Sequence, residues 1–338
     1  MRFLIAGLGS IGRRHLRNLA ALGERDIVLY RTHRSSLPED ELSAFPVETD
    51  LQAALGRRPE AVIISNPTSL HLQVAIPAAQ AGCHLLLEKP LSHTLQGVDE
   101  LVAAVQSGGG QALMGFQFRF HPGLQLISRL LREGAIGRPI SVHAHWGEYL
   151  PGWHPWEDYR LGYSARRDLG GGVVLTLSHP LDYLRWLIGD VHALWAFTAS
   201  RSDLDLEVED AAEIGLRFTD GTLGSVHLDY LQRPPAHTLQ IIGAQGTIRW
   251  DNANGAVHLF RAGDLTESGE AGSGAGWHTF PPPADFERNH LFLAEMRHFL
   301  QVVRGEAAPL CTLEDGIQAL RLALSALESS RERKLVLF

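Results

Sequence analysis

A short glycine-rich stretch near the N-terminus, Gly7-Leu8-Gly9-Ser10-Ile11-Gly12, is the first part of this sequence whose residue types and spacing could do chemistry. It follows an apolar run over 2–6 and opens an amphipathic pattern over 11–22, so it reads as a strand, a turn and a helix. In that setting the first glycine permits the tight turn and the second lets a pyrophosphate approach the backbone. The third lets the helix pack on the strand, with the phosphates at the helix N-terminus. Gly7, Gly9, Ser10, Ile11 and Gly12 are therefore the expected contacts to a dinucleotide. An acidic residue about 20 positions further on would hold the adenosine ribose hydroxyls. Here that region reads Leu29-Tyr30-Arg31-Thr32-His33-Arg34-Ser35-Ser36 and carries no acid. A guanidinium presents paired donors to phosphate oxygens, so Arg31, Thr32 and Arg34 favour a 2′-phosphate and hence NADP over NAD.

Two further groups suit proton chemistry. Lys89 stands at the end of an apolar run over 84–88, and ligands of open α/β sheets bind at the carboxyl ends of strands. Its ammonium could polarise a carbonyl or stabilise a developing alkoxide. His179 follows the Gly170-Gly171-Gly172 run, and imidazole is the side chain whose ordinary pKa best matches acid–base work near neutrality. His143 and His145 alternate on one strand and could share a face, but no third ligand at suitable spacing accompanies them. No metal site is expected.

Apolar runs at 2–6, 26–30, 61–65, 84–88 and 112–116 alternate with helical patterns at 11–22, 69–81 and 95–106, which implies a parallel α/β sheet covered on both faces. Past residue 120 the rhythm changes. A helix over 122–133 leads into a strand over 140–146, and then an aromatic-rich irregular stretch spans 147–167. An amphipathic helix is expected over 173–188, followed by strands at 191–198, 211–218, 222–230, 237–242, 246–250 and 256–260. Gly269 to Gly276 reads as a surface loop. Helices over 286–303 and 313–330 close the chain, the second opened by a Thr312–Asp315 capping box.

The glycine turn, Asn66-Pro67-Thr68 with His71, and Glu88-Lys89-Pro90 after a strand together resemble the oxidoreductase family named for glucose–fructose oxidoreductase and inositol dehydrogenase (Gfo/Idh/MocA). The resemblance continues through Arg119, Pro122, the glycine run and His179-Pro180-Leu181-Asp182, and covers essentially the whole chain. It implies a Rossmann dinucleotide-binding domain over 1–119. It also implies a substrate-binding and oligomerisation α/β domain over 120–338, with a large, mainly antiparallel open sheet. It places Asn66, Pro67, His71, Glu88 and Lys89 at the cofactor, and makes Lys89 and His179 catalytic. Arg119, Trp153, His154, Tyr159, Arg160 and Asp182 would meet the substrate. Many members carry an Asp four residues before the histidine, where this chain has Leu175. Either His179 works with Lys89 alone, or an acid such as Asp182 or Asp168 substitutes; Asp182 could orient His179 or hold Arg185.

The activity implied is hydride transfer between a nicotinamide and a secondary alcohol or ketone of a sugar, cyclitol or nucleotide-sugar. The 153–160 stretch and Thr176-Leu177-Ser178-His179 are similar to members associated with nonulosonic-acid or nucleotide-sugar biosynthesis. Two alternatives stay open: redox-neutral glycoside cleavage through transient oxidation, and a non-enzymatic NADP(H) sensor, which Leu175 makes conceivable. The composition fits an enzyme of this kind. At 338 residues with 45% hydrophobic and 20% charged residues, the chain has material for two cores. A net charge of −8 gives no basic footprint for nucleic acid or anionic membrane. With two distant cysteines, no spanning apolar run and no signal-peptide pattern, a reducing, cytoplasmic setting is expected, as a homodimer or homotetramer.

Overall fold

The computed structural model describes residues 1–32, 40–263 and 275–338. Two compact units emerge from it. The first comprises Met1–Gln117, Leu161–Gly171 and Arg288–Arg321, and the second Phe118–Arg160, Gly172–Glu287 and Leu322–Phe338.

The first unit holds β1 (Phe3–Ala6), α1 (Ser10–Ala21), β2 (Ile27–Tyr30), β3 (Val47–Glu48), α2 (Leu51–Gly56), β4 (Ala61–Ile64), α3 (His71–Gln80), β5 (His84–Glu88), α4 (Val98–Gly108) and β6 (Ala112–Gly115). Among the described residues its sheet has six strands in the order β3-β2-β1-β4-β5-β6, all parallel. This is the doubly wound dinucleotide-binding order, reversing direction between β1 and β4. β1 and β4 bury every residue, because helices cover both faces of the sheet and leave no solvent side for alternation. β3 and α2 have no counterpart in the sequence reading. Two residues carry no period, and α2 is a six-residue helix whose start is fixed by Asp50 accepting from the Ala53 amide at 2.7 Å. The chain's return completes the sheet's outer edge: the Met114 N–H donates to the Cys311 carbonyl at 2.9 Å, and Leu113 bridges Thr312. The capping box is present, with Asp315 Oδ2 accepting from the Thr312 amide and the Asp315 amide donating to Thr312 Oγ1.

The second unit contains α5 (Pro122–Arg132), β7 (Pro139–Gly147), α6 (Val173–Thr176), α7 (His179–Ile188), β8 (Val191–Ala199), β9 (Ala211–Phe218), β10 (Leu223–Asp229), β11 (Ala236–Gly243), β12 (Gly246–Asp251), β13 (Val257–Arg261) and β14 (Gly276–Phe280). Helix α8 (Asn289–Val303) packs on α1 in the first unit; α9 (Leu313–Glu332) contributes to both, and β15 (Val336–Leu337) closes the second. Among the described residues the sheet runs β14-β13-β12-β11-β7-β10-β9-β8-β15. Every neighbouring pair is antiparallel except β7 and β10. Period-two alternation separates the faces. Val142, Ala144, Trp146, Ile214, Val226 and Leu239 are buried, while His143, Glu213, Trp195 and Phe197 on the other face are exposed.

Two expectations change. The helix over 173–188 is broken at Leu177 and Ser178. Pro180 explains the break: within a continuous helix it would lack an amide donor and clash with the carbonyl four residues back, so it sits instead in the first turn of α7. Of the expected loop over 269–276, residues 269–274 lie outside the described residues, and Gly276 begins β14.

Candidate active site

In the first unit the carboxyl ends of β1, β4 and β5 are level, with Ala6 beside Ile64 and Ile64 beside Leu87. The glycine turn, the Asn66-Pro67 loop and Glu88-Lys89-Pro90 therefore all leave the sheet at one edge. The local sequence builds the turn in a specific way. Gly7 has φ +91° and lies so close to Asn66 that any Cβ would overlap the Asn66 backbone. A Cβ on Gly12 would collide with the Gly7 carbonyl and with Ser65 Oγ, whereas one on Gly9 would meet nothing within 4 Å. Ser65 Oγ donates to the Gly7 carbonyl at 2.9 Å, and the buried Arg13 braces the turn by donating from Nε to the Leu8 carbonyl at 3.0 Å. Among the described residues no side chain caps α1, and its first turn carries no acid. An open second glycine, a packed third and uncapped amides at Ser10 and Ile11 fit a dinucleotide pyrophosphate.

Arg31 and Thr32 continue from the end of β2, where the Arg31 amide donates to the Glu48 carbonyl at 3.1 Å. Arg34, with His33, Ser35 and Ser36, lies outside the described residues.

Lys89 is half-buried and joined to Pro90 by a cis peptide. Around it lies a set of buried groups. The His71 ring, 1% exposed, lies between the β4 and β5 loops, with Nε2 and Nδ1 each 3.0 Å from a carbonyl, of Asn66 and of Pro90; the neutral ring donates to one of them and the imidazolium to both. Burial lowers the His71 pKa, opposed by the nearby Glu88 charge. Glu88 Oε1 accepts from His15 Nε2 at 2.7 Å. Burial alone would raise the Glu88 carboxyl, but the His15 hydrogen bond and the charges of His15, Lys89 and His71 hold it below the usual value. Glu295 of α8 is fully buried, and its pKa is pushed well up by burial and then by Glu88. Arg13, His15 and Glu295 were not among the expected site residues. His15 alone left a trace in the sequence, as a polar residue on the apolar stripe of α1.

In the second unit Arg119 and Asp182 form a buried bidentate ion pair: Nη2 donates to Oδ1 at 2.7 Å and Nε to Oδ2 at 3.1 Å. Of the alternatives open for Asp182, the structure places Arg119 on its carboxylate, while Arg185 donates from Nε to Asp190 at 2.7 Å. Asp168, on the first unit, is exposed and paired with Arg166. His179 begins α7 and is 2% exposed, its ring stacked on Trp146 at 5.2 Å and edge-on to Phe118 at 5.0 Å. Leu175 is buried on α6, across the helix break from His179. His237, which the sequence reading did not single out, joins this aromatic group, stacked on Trp146 with centroids 4.1 Å apart and planes nearly parallel. Its place on the inward side of β11 follows from the strand's alternation.

The stretch after β7 is built of short 3-10 turns. Tyr159 donates its hydroxyl to the Leu204 carbonyl at 2.7 Å, and exposed Arg160 pairs with Asp158. Trp153 lies edge-on to Tyr230 at 5.6 Å with its Nε1 buried and without a hydrogen-bond partner among the described residues, and His154 Nδ1 is likewise buried.

Comparison with known proteins agrees with this architecture. Residues 1–116 match the profile described as "Oxidoreductase family, NAD-binding Rossmann fold", and residues 124–249 match the GFO/IDH/MocA C-terminal domain. The chain belongs to the Gfo/Idh/MocA oxidoreductase family, and it is an enzyme of the dehydrogenase and reductase class. An uncharacterized oxidoreductase of Synechocystis is 32% identical over 217 residues, which span 60% of this chain and 58% of that protein. UDP-N-acetylglucosamine 3-dehydrogenase of Acidithiobacillus ferrooxidans is 27% identical over 97% of this chain and 96% of its own length. The structure of levoglucosan dehydrogenase in complex with NADH superposes with a TM-score of 0.87 at 21% identity, covering 99% of this chain and 98% of that one. No helix among the described residues is long and apolar enough to cross a membrane.

Proposed function

We propose that this chain is an NADP-preferring oxidoreductase acting on a secondary alcohol or ketone of a sugar, cyclitol or nucleotide-sugar. The observation that carries the reading is the single sheet edge from which the glycine turn, the Asn66 loop and Lys89 all project. Gly9, Gly12 and the first amides of α1 would hold the pyrophosphate, and Arg31 with Thr32 and Arg34 the adenosine end. When bound, the nicotinamide supplies the chemistry by giving or taking the hydride. Lys89 stabilises charge on the reacting oxygen, and the buried Glu88–His15 and His71 contacts fix the backbone from which it projects. His179 moves the hydroxyl proton through its imidazole. Trp153, His154, Tyr159 and Arg160 line the substrate side in this reading, with a sugar-acid or nucleotide-sugar substrate favoured by the aromatic and basic character of 153–160. The exposed sheet face carrying Trp195, Phe197 and Leu223 is the surface for a second copy of the chain. Cys83 and Cys311, both buried and joined in no disulfide, suit a reducing cytoplasm.

The test is a panel of sugars and nucleotide-sugars assayed with both cofactors. Lys89→Met and His179→Ala are each expected to lower turnover by roughly 10²–10⁴-fold, with cofactor affinity much less affected. A charge-assisted phosphate contact is worth about 1.5–3 kcal/mol, so Arg31→Asp should erase a roughly 10- to 100-fold preference for NADP. Near-full activity in both catalytic variants, or tighter wild-type binding of NAD than NADP, would overturn the corresponding part of the reading.

A further inference from the structure

A second cluster of chemically capable groups lies on the exposed face of the nine-stranded sheet, far in sequence from Lys89 and with none of its residues in the machinery described above. β7 and β10 are the parallel pair, and their register sets His145 beside His227 and Gly147 beside Asp229. The two imidazoles stack with centroids 4.5 Å apart and planes at 24°. His227 Nε2 is 3.0 Å from Asp229 Oδ2, and His145 Nε2 faces Gln232 Oε1 at 2.5 Å. One ligand atom each from His145, His227 and Asp229 can be chosen so that all lie within 4.8 Å of one another.

Three observations separate this group from a chance gathering of surface residues. Asp229 is 6% exposed, and its second oxygen accepts the Leu231 and Gln232 amides, both at 2.7 Å. Those bonds fix the carboxylate and the turn that carries Gln232. On the far side of the His227 ring, Nδ1 lies 2.6 Å from Glu213 Oε1. A carboxylate on that nitrogen holds its proton there, so an ion that displaces the proton shared between Nε2 and Asp229 Oδ2 is ligated by Nε2, the outer-shell arrangement that orients metal-bound histidines. Third, the strand residue under the cluster is Gly147, where a Cβ would collide with Asp229 Oδ2 and Gln232 Oε1. The absent side chain leaves room at the point where the oxygens converge.

We infer that His145 Nε2, His227 Nε2 and Asp229 Oδ2, with Gln232 Oε1 completing the set, form a binding site for a divalent transition-metal ion of the zinc type. Two imidazoles with oxygen donors select such ions over magnesium or calcium, which take oxygen ligands. In tetrahedral zinc, donors about 2.0–2.2 Å from the metal stand roughly 3.3 Å from each other, close to the 3.0 Å His227–Asp229 separation, and the Gln232 side chain must draw back from His145 Nε2 for both to ligate. In a single chain the half-exposed rings give the ion a path from the face of the sheet, the face proposed above for a second copy. The site ties β7 to β10, so its role is structural.

The test is calorimetric titration of untagged, chelator-treated protein with zinc, repeated with magnesium. Saturable binding of one zinc per chain is expected, with magnesium at least 100-fold weaker. His145→Ala and His227→Ala should each weaken zinc binding by at least 10-fold, and Gly147→Ala should do the same by filling the floor. His143→Ala, two residues along β7 and hydrogen-bonded to Ser225, should leave it unchanged. Circular dichroism and sedimentation establish that each variant is folded. Zinc should also raise the melting temperature of the wild type but not of His227→Ala. Absence of saturable zinc binding would overturn the assignment. So would zinc affinity unaltered in folded His145→Ala and His227→Ala, or magnesium binding as tight as zinc.

Discussion

Replacing Asp182 by Asn keeps the shape of the side chain and removes its charge, leaving the Arg119 guanidinium facing an amide in a site where the two side chains are 3% and 2% exposed. Removing one partner of a buried ion pair costs about 3–5 kcal/mol, because the other charge stays desolvated without its counter-ion. With a urea m-value of about 3 kcal/mol/M, that loss moves the unfolding midpoint down by roughly 1–1.7 M. Trp146 and Trp250, buried in the same unit, report the transition by fluorescence. Arg119→Lys should be nearly as harmful, since an ammonium cannot reproduce the paired donors from Nε and Nη2. Changing both residues to apolar ones of similar volume should restore much of the loss, giving a coupling of at least about 1 kcal/mol in the double-mutant cycle. The reasoning fails if Asp182→Asn shifts the midpoint by no more than a surface substitution would. It fails also if the variant raises KM alone at unchanged stability, for then the pair would serve the substrate and not the fold.

Three other outcomes follow from the geometry. Gly12→Ala forces the Gly7 carbonyl and Ser65 apart, so affinity for the reduced dinucleotide, NADH or NADPH, measured by fluorescence titration should fall at least 10-fold, and an unchanged dissociation constant would contradict the packing described. Burial lowers the His121 pKa from 6.5 to about 4, and its unprotonated Nδ1 accepts the Gly123 amide at 3.0 Å. The unfolded chain therefore takes up the proton first: the stability contribution is complete above pH 6.5 and is lost as the pH falls towards about 4, by up to about 3 kcal/mol. His121→Asn retains a capping oxygen and should flatten this dependence in unfolding curves between about pH 7 and pH 5. Thr312→Ala should cost about 1 kcal/mol by calorimetry through loss of the cap at α9, and no change would count against it.

Features fixed by neighbouring residues were the ones legible in the sequence. The β1–turn–α1 unit and the Thr312 box depend on a few consecutive positions, and the strands of the parallel sheet on uninterrupted apolar runs. The break before His179 was legible too, in Pro180, but the apolar stripe on either side outweighed it. What the sequence could not display is register. His145 and His227 are brought side by side only because β10 inserts parallel to β7, and no spacing along the chain encodes that. Glu295 sits beside Glu88 for the same reason: the packing of α8 on α1 is a tertiary fact, and a Glu within an amphipathic helix ordinarily reads as solvated.

The edge of the parallel sheet also sets an order of events during synthesis. When residue 117 has emerged, β6 exists, but the Met114 amide has no carbonyl to receive it and Thr312 has not been made. At about 5–20 residues per second, the ribosome needs roughly 10–40 s more to deliver that partner segment. The first-made sheet thus spends its early life with an open edge, and anything that cuts the nascent chain short leaves an N-terminal fragment with unpaired strand donors exposed, a ready substrate for chaperones and for self-association.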